Sequence, residues 1–217
     1  MHRPLLILGT GVFAEEVADL ALAAGREVAG FVEGRDRSRC AEGLNGLPIY
    51  WIDDVARLAP GCDAVCAVGS SARSGFIEQG RAAGLTFAIL AHPSSTVFAS
   101  ASLAQGVILG AGVVIGAGTR VGAHAILNRG CLIGHHVRIG DYATLAPGCN
   151  VGGLASIGSG CQVGMGAIVI DRVIVGDGAS VGAGALVTRD VAIGMRVVGS
   201  PARAVRTDVE AMNQGAP

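Results

Sequence analysis

The sequence predicts an α/β unit built on one small parallel sheet, followed by a long coil of very short parallel strands. Three observations carry that prediction. Gly supplies 35 of the 217 residues and aromatics only 4%, although hydrophobic residues reach 51%. Gly weakens helices and strands alike, so a chain this rich in it is spending it on a repeated corner. The first ninety residues alternate strand-like and helix-like stretches, and most of the remainder repeats every six residues.

In chain order, the apolar run PLLILG (4–9) reads as a buried strand, followed by a Gly turn and the helical pattern FAEEVADLALAAG (13–25). Three further buried strands are expected over 27–33, 63–69 and 85–90. Strands alternating with helices argue for a parallel sheet with crossover helices. At about ninety residues this is a truncated, Rossmann-like domain rather than a full dinucleotide fold. Its first turn, GTGVFA (9–14), lets a phosphate approach the backbone of Gly9 and Gly11 at a helix N-terminus. Glu33 is then placed to bond a ribose or base. The bland alternative is that the two glycines only make a tight turn.

From Val97 to Val198 the repeat runs through 17 units. The first position is always Val, Leu or Ile, the second is Gly in 11 of the 17, and the fifth is always Val, Ala, Thr or Cys. That period suits a triangular coil with three strands per turn, in which the aliphatic residue fills the interior and the small residue packs beside it. Residues 18 apart then stack at the roughly 4.8 Å spacing of neighbouring strands. Cys131, Cys149 and Cys161 occupy the small fifth position and read as packing. His135 and Gly153 are both third in their units, three units apart, and so share one corner, one coil apart.

Composition excludes several functions. The 16 basic residues nearly balance the 17 acidic ones, leaving no footprint for nucleic acid. Every basic residue is Arg, so a lysine Schiff base and a Walker-type loop are absent. Mean hydropathy is +0.54, yet no apolar run approaches the roughly 20 residues that span a bilayer. The opening residues lack a signal-peptide cleavage site, and none of the six Cys forms a C-x-x-C pair. Reduced thiols in a cytoplasmic protein without membrane partners are expected.

The array resembles the hexapeptide-repeat acyltransferases that use acetyl-CoA. With a small α/β domain in front, the whole chain resembles the bacterial sugar acetyltransferases, which include nucleotide-amino-sugar N-acetyltransferases and sialic acid O-acetyltransferase relatives. The stretches that carry it are LLILGTG, AHPSSTV, LNRGCLIGHHVRIGDYATLAPGCNVGG (127–153) and the terminal GSPAR. The resemblance implies a left-handed parallel β-helix over 91–217 behind a Rossmann-like acceptor domain over 1–90. It implies acetyl-CoA as co-substrate, a nucleotide-sugar or sugar acceptor, and a homotrimer with active sites between subunits.

Residue by residue, it implies His135 as general base, the Gly153 amide as the donor facing the thioester carbonyl, and Asn128 as an active-site polar contact. His136 stands where the family has an acidic residue after the base. Thr144 stands where it has a second His on the acetyl-CoA side. Gly199, Pro201 and Arg203 match the tail that contacts CoA, a role for which guanidinium suits a phosphate. Ser70 and Ser71 stand in the loop that contacts the nucleotide, and the tail from Thr207 is expected to fray.

The expected chemistry is direct attack of a sugar amine on the thioester, with a His taking the proton. O-acylation of a sugar hydroxyl and a catalytically silent scaffold trimer are the rival readings. His124 and Tyr142, stacked one coil apart, are expected to make a surface or interface contact, and His92 a structural one. No metal is expected, because adjacent His135 and His136 would diverge.

Overall fold

The computed structural model describes residues 2–70 and 73–205. Ser71 and the tail expected to fray lie outside the described residues.

The chain opens with β1 (Leu5–Leu8), α1 (Val12–Ala23), β2 (Val28–Glu33), β3 (Ile49–Trp51), β4 (Asp63–Cys66), α2 (Arg73–Ala82) and β5 (Thr86–Phe87). The five strands are parallel in the order β3-β2-β1-β4-β5. Leu5 to Leu8 are wholly buried because β1 lies mid-sheet with cover on both faces. Helix α1 turns Ala14, Val17, Ala18 and Ala21 onto the sheet at i, i+3, i+4 spacing. Strand β3 is the strand of this sheet that sequence reasoning missed. It is a three-residue edge strand whose Tyr50 and Trp51 stay half-exposed, so it leaves no apolar run to detect.

Order reverses between β1 and β4, and a crevice opens beyond their carboxyl ends, where ligands bind open parallel sheets. A cavity of about 390 Å³ occupies it, lined by Gly9, Thr10, Glu33, Arg35, Arg39 and Arg73 among others.

The coil begins at Leu90–Ala91, which pairs in register with Ile108–Leu109. Its strands are mostly two residues long, and three sheets form its sides. Partners lie 18 residues apart from Leu90↔Ile108 to Val169↔Val187. First-position aliphatics and fifth-position small residues form one continuous core. The fully buried thiols of Cys131, Cys149 and Cys161 point at carbonyl oxygens of Ala146, Gly164 and Gly176 in the next coil.

The repeat does not hold to Val198 as predicted. Val175 pairs with Val191 and Val181 with Val197, a spacing of 16. The corner Thr188–Asp190 is two residues short, and the Asp190 carboxylate accepts the Ile174 N–H at 2.8 Å. Val191 and Val197 therefore fill the interior, and Ile193, predicted inside, is 78% exposed. At the other end Val97 is 38% exposed, because it lies in the outermost coil.

One side of the coil, carrying Ile108, Ile126 and Thr144, is covered by the α/β unit. Ile108 and Ile126 join a cluster with Val17, Ala21 and Leu90. A second side presents Val114, Leu132, Asn150 and Ile168, and a third presents Arg120, Arg138 and Ser156. No helix among the described residues is long and apolar enough to cross a membrane.

Candidate active site

His135 sits at the corner between the second and third sides. Directly beneath it in the next coil is Gly153. A Cβ built on Gly153 would lie 2.7 Å from His135 Nε2 and 2.9 Å from Cε1. The imidazole thus lies over the glycine, and only the missing side chain leaves it room. The backbone at Gly153 is clamped by its carbonyl, which accepts from Arg172 N–H at 3.0 Å, and by Leu154 N–H, which donates to the His135 carbonyl at 2.9 Å. The Gly153 N–H itself donates to no protein acceptor among the described residues. A free amide one coil from a histidine ring puts a donor and a proton-transfer group at one corner, the pair that acyl transfer needs.

His136 follows in the left-handed conformation, φ 56°, at a corner where Gly118, one coil above, has φ 70°. Its Nδ1 lies 3.2 Å from His135 Nδ1, with the rings at 79°. Both side chains are exposed.

Other predicted residues are not gathered here within one chain. Asn128 lies at the corner between the covered and second sides, where its Nδ2 donates to Leu145 O at 2.9 Å. Thr144 lies on the covered side. Its hydroxyl accepts from Arg73 Nη1 at 2.9 Å and donates to Gly69 O at 3.2 Å, so it links coil to α/β unit. Gly199 and Pro201 form the turn between the terminal strands Arg196–Val198 and Arg203–Val205, and Arg203 lines a 290 Å³ groove there.

In the crevice, Gly9 has φ 119° and a Cβ there would lie 3.2 Å from Ala67 O, so the turn requires glycine. Gly11 caps α1. The Glu33 carboxylate lines the cavity and is held by its own loop. One oxygen accepts the N–H groups of Gly34, Arg35 and Asp36, and the other accepts the Thr10 hydroxyl. Burial pushes its pKa up, but those hydrogen bonds, Thr10 foremost, outweigh it and hold it below the usual carboxylate range. Arg39 Nη1 donates to Thr10 Oγ1 at 2.8 Å. Glu33 thus fixes the loop that presents Arg35 and Arg39 to the cavity. Ser70 is exposed, and its carbonyl accepts from Arg73.

A profile of bacterial transferase hexapeptide repeats (six repeats) matches residues 155–189. No curated protein sequence matches the chain. The acetyltransferase domain of PglB from Neisseria gonorrhoeae, solved with acetyl coenzyme A, is 30% identical. The match covers 94% of this chain and 100% of that one, with a TM-score of 0.85. A variant of GDP-perosamine N-acetyltransferase from Caulobacter crescentus, solved with CoA and GDP-perosamine, is 29% identical over 94% and 97% of the two chains, with a TM-score of 0.87. WeeI from Acinetobacter baumannii is 25% identical over 93% and 99%, with a TM-score of 0.85.

The chain belongs to the hexapeptide-repeat bacterial sugar acetyltransferases.

As a member of that family it is an acyltransferase with a left-handed β-helix. Arg73 ties the α/β unit to the coil. Sequence reasoning treated GSSARS only as a nucleotide loop and missed it. Arg73 is 1% exposed, and its guanidinium donates to Ser70 O, His124 O, Tyr142 O, Ala143 O and Thr144 Oγ1. Burial lowers its pKa to about 10, which still leaves it charged at neutral pH. The missed signal was a lone Arg two residues after Ser71, which a six-residue period cannot reveal.

His124, expected at a surface or interface contact, is buried between the modules. It stacks on Tyr142 at 5.5 Å, meets Phe87 edge-on at 4.9 Å and accepts from Arg81 Nη2 at 2.9 Å. Burial, then the charges of Arg81 and Arg73, lower its pKa to about 4.

Proposed function

We propose that the protein transfers an acetyl group from acetyl-CoA to the amino group of a nucleotide-linked amino sugar, with His135 as general base. The observation that carries this reading is the His135 imidazole lying over Gly153, whose amide is free. The acceptor amine attacks the thioester carbonyl, the C–N bond forms, and the amine proton passes to His135 Nε2. The oxyanion of the tetrahedral intermediate accepts a hydrogen bond from Gly153 N–H. Collapse expels CoA as its thiol, with the proton returned from His135. Losing one such oxyanion donor typically costs ~10²–10³-fold in rate.

The cavity at the sheet crevice is the proposed acceptor pocket. The Thr10 backbone amide, just before α1, would take the diphosphate, aided by Arg35 and Arg39, while the Gly9 N–H stays on Val32 O. That relatives were solved with GDP-perosamine and with acetyl-CoA supports both halves of the reaction. Gly199, Pro201 and Arg203 would contact the CoA end.

A homotrimer completes the proposal. His135 stands on an exposed corner, Asn128 lies at the other end of the second side, and between them runs the apolar strip of Val114, Leu132 and Ile168. A neighbouring copy seated on that strip would bury it, exclude water and bring its own Asn128 towards His135.

The test is thiol release from acetyl-CoA with nucleotide-linked amino sugars, the matching free sugars and hydroxyl-only analogues. Turnover confined to the nucleotide-linked amines supports the reading. Turnover on hydroxyl analogues makes the enzyme an O-acyltransferase, and no turnover with any acceptor leaves the scaffold.

A further inference from the structure

We propose that His136 is the positioning residue for His135, acting as a neutral hydrogen-bond acceptor that holds the base in its working tautomer. This rests on the reading of His135 as the base.

The two Nδ1 atoms face each other at 3.2 Å, so one carries a proton and the other a lone pair. If His136 donates, His135 Nδ1 is consumed as the acceptor and its remaining proton sits on Nε2, the atom beside Gly153. Such a ring has no lone pair for the acceptor amine. If His135 donates, its Nε2 lone pair is free at the Gly153 amide. Only the second arrangement performs the proposed chemistry. When His135 then takes the amine proton on Nε2, the resulting imidazolium strengthens its Nδ1–H bond to the His136 lone pair.

The corner is shaped for this pair. His135 lies over Gly153 below, and His136 lies against Gly118 above, where a Cβ would come within 2.8 Å of His136 Cδ2 and Nε2. Two glycines in successive directions along the coil therefore seat two imidazoles. The His136 backbone is pinned by its N–H, which donates to Ala117 O at 2.8 Å. No carboxylate hydrogen-bonds to His135 among the described residues, so His136 is the side chain that sets its tautomer.

Because φ at His136 is left-handed, replacement by Gly is compatible with the fold. His136→Gly is expected to keep or raise the melting temperature, to lower kcat about 10–100-fold, and to leave KM for both substrates within about twofold. His136→Glu, an acceptor without a donor, restores most of kcat, and His136→Arg, a donor without an acceptor, does not. Nitrogen NMR of the imidazoles should show His135 protonated on Nδ1 in the wild type and shifted towards Nε2 in His136→Gly. His136→Asn is the second variant, since Asn tolerates the left-handed region and offers an acceptor oxygen.

If His135→Ala abolishes turnover but His136→Gly keeps wild-type kcat, the positioning role is wrong and the base survives. A wild-type His135 that carries its proton on Nε2 overturns the positioning role and the Nε2 base together. If His135→Ala retains turnover, the base reading itself has failed.

Discussion

Gly153→Ala probes the site by the smallest addition the geometry forbids. The new Cβ would sit 2.7 Å from His135 Nε2, whereas ordinary contact begins near 3.4 Å, so the ring must withdraw by about 0.7 Å. Misplacement of a reacting group by ~1 Å costs about 10²-fold, which puts the expected loss in kcat at ~30–100-fold, or about 2–3 kcal/mol. The backbone at Gly153 is not left-handed, so Ala fits it, and thermal unfolding should be unchanged or slightly later. Thiol release at saturating acetyl-CoA and acceptor gives kcat for the single variants and for His135→Ala/Gly153→Ala. In the His135→Ala background the added methyl meets no ring and should cost nothing further. A Gly153→Ala enzyme as active as wild type, or one whose loss is equal in both backgrounds, would refute the stacking of base over amide.

Arg73→Met takes the donor from five carbonyl and hydroxyl oxygens, and is expected to cost about 3 kcal/mol or more in denaturant unfolding. The depressed His124 pKa makes stability depend on pH. Between about 4 and 6.5 the unfolded chain binds a proton that the folded one does not, so stability is full above 6.5 and falls as pH drops towards 4. The loss should be about 3 kcal/mol, and His124→Asn should flatten it in pH-dependent unfolding curves. Ile193→Ser should change stability by less than ~0.5 kcal/mol, and Val197→Ser by about 2 or more, because the coil shortens before its last turn. Gly9→Ala should raise KM for the acceptor several-fold and leave KM for acetyl-CoA unchanged, since its Cβ would press on Ala67 O beside the cavity.

The coil was legible because packing repeats it. Every 18 residues the same interior volume must be filled, so Ile115, Ile133 and Val151 follow one another without exception. Legibility ended where the chain stopped repeating. The shortened corner at Thr188–Asp190 kept apolar residues at six-residue spacing, so Ile193 looked interior while Val191 and Val197 did the filling. At the site, period alone put His135 and Gly153 on one corner. The roles of Thr144 and Arg73 depend chiefly on contacts across 51 to 75 residues, and that of Glu33 partly on Thr10, 23 residues away, which no local pattern encodes. Glu33 was visible as a carboxylate after a buried strand, but not that backbone amides and Thr10 would claim it.

The central claim is that His135 removes the acceptor proton while the Gly153 amide meets the oxyanion. The most direct test is single-turnover acetyl transfer to the best nucleotide-linked amino sugar, comparing wild type with His135→Ala under saturating conditions. The account predicts a fall of at least about 10²-fold with acetyl-CoA affinity intact. A variant that transfers acetyl at the wild-type rate would contradict it.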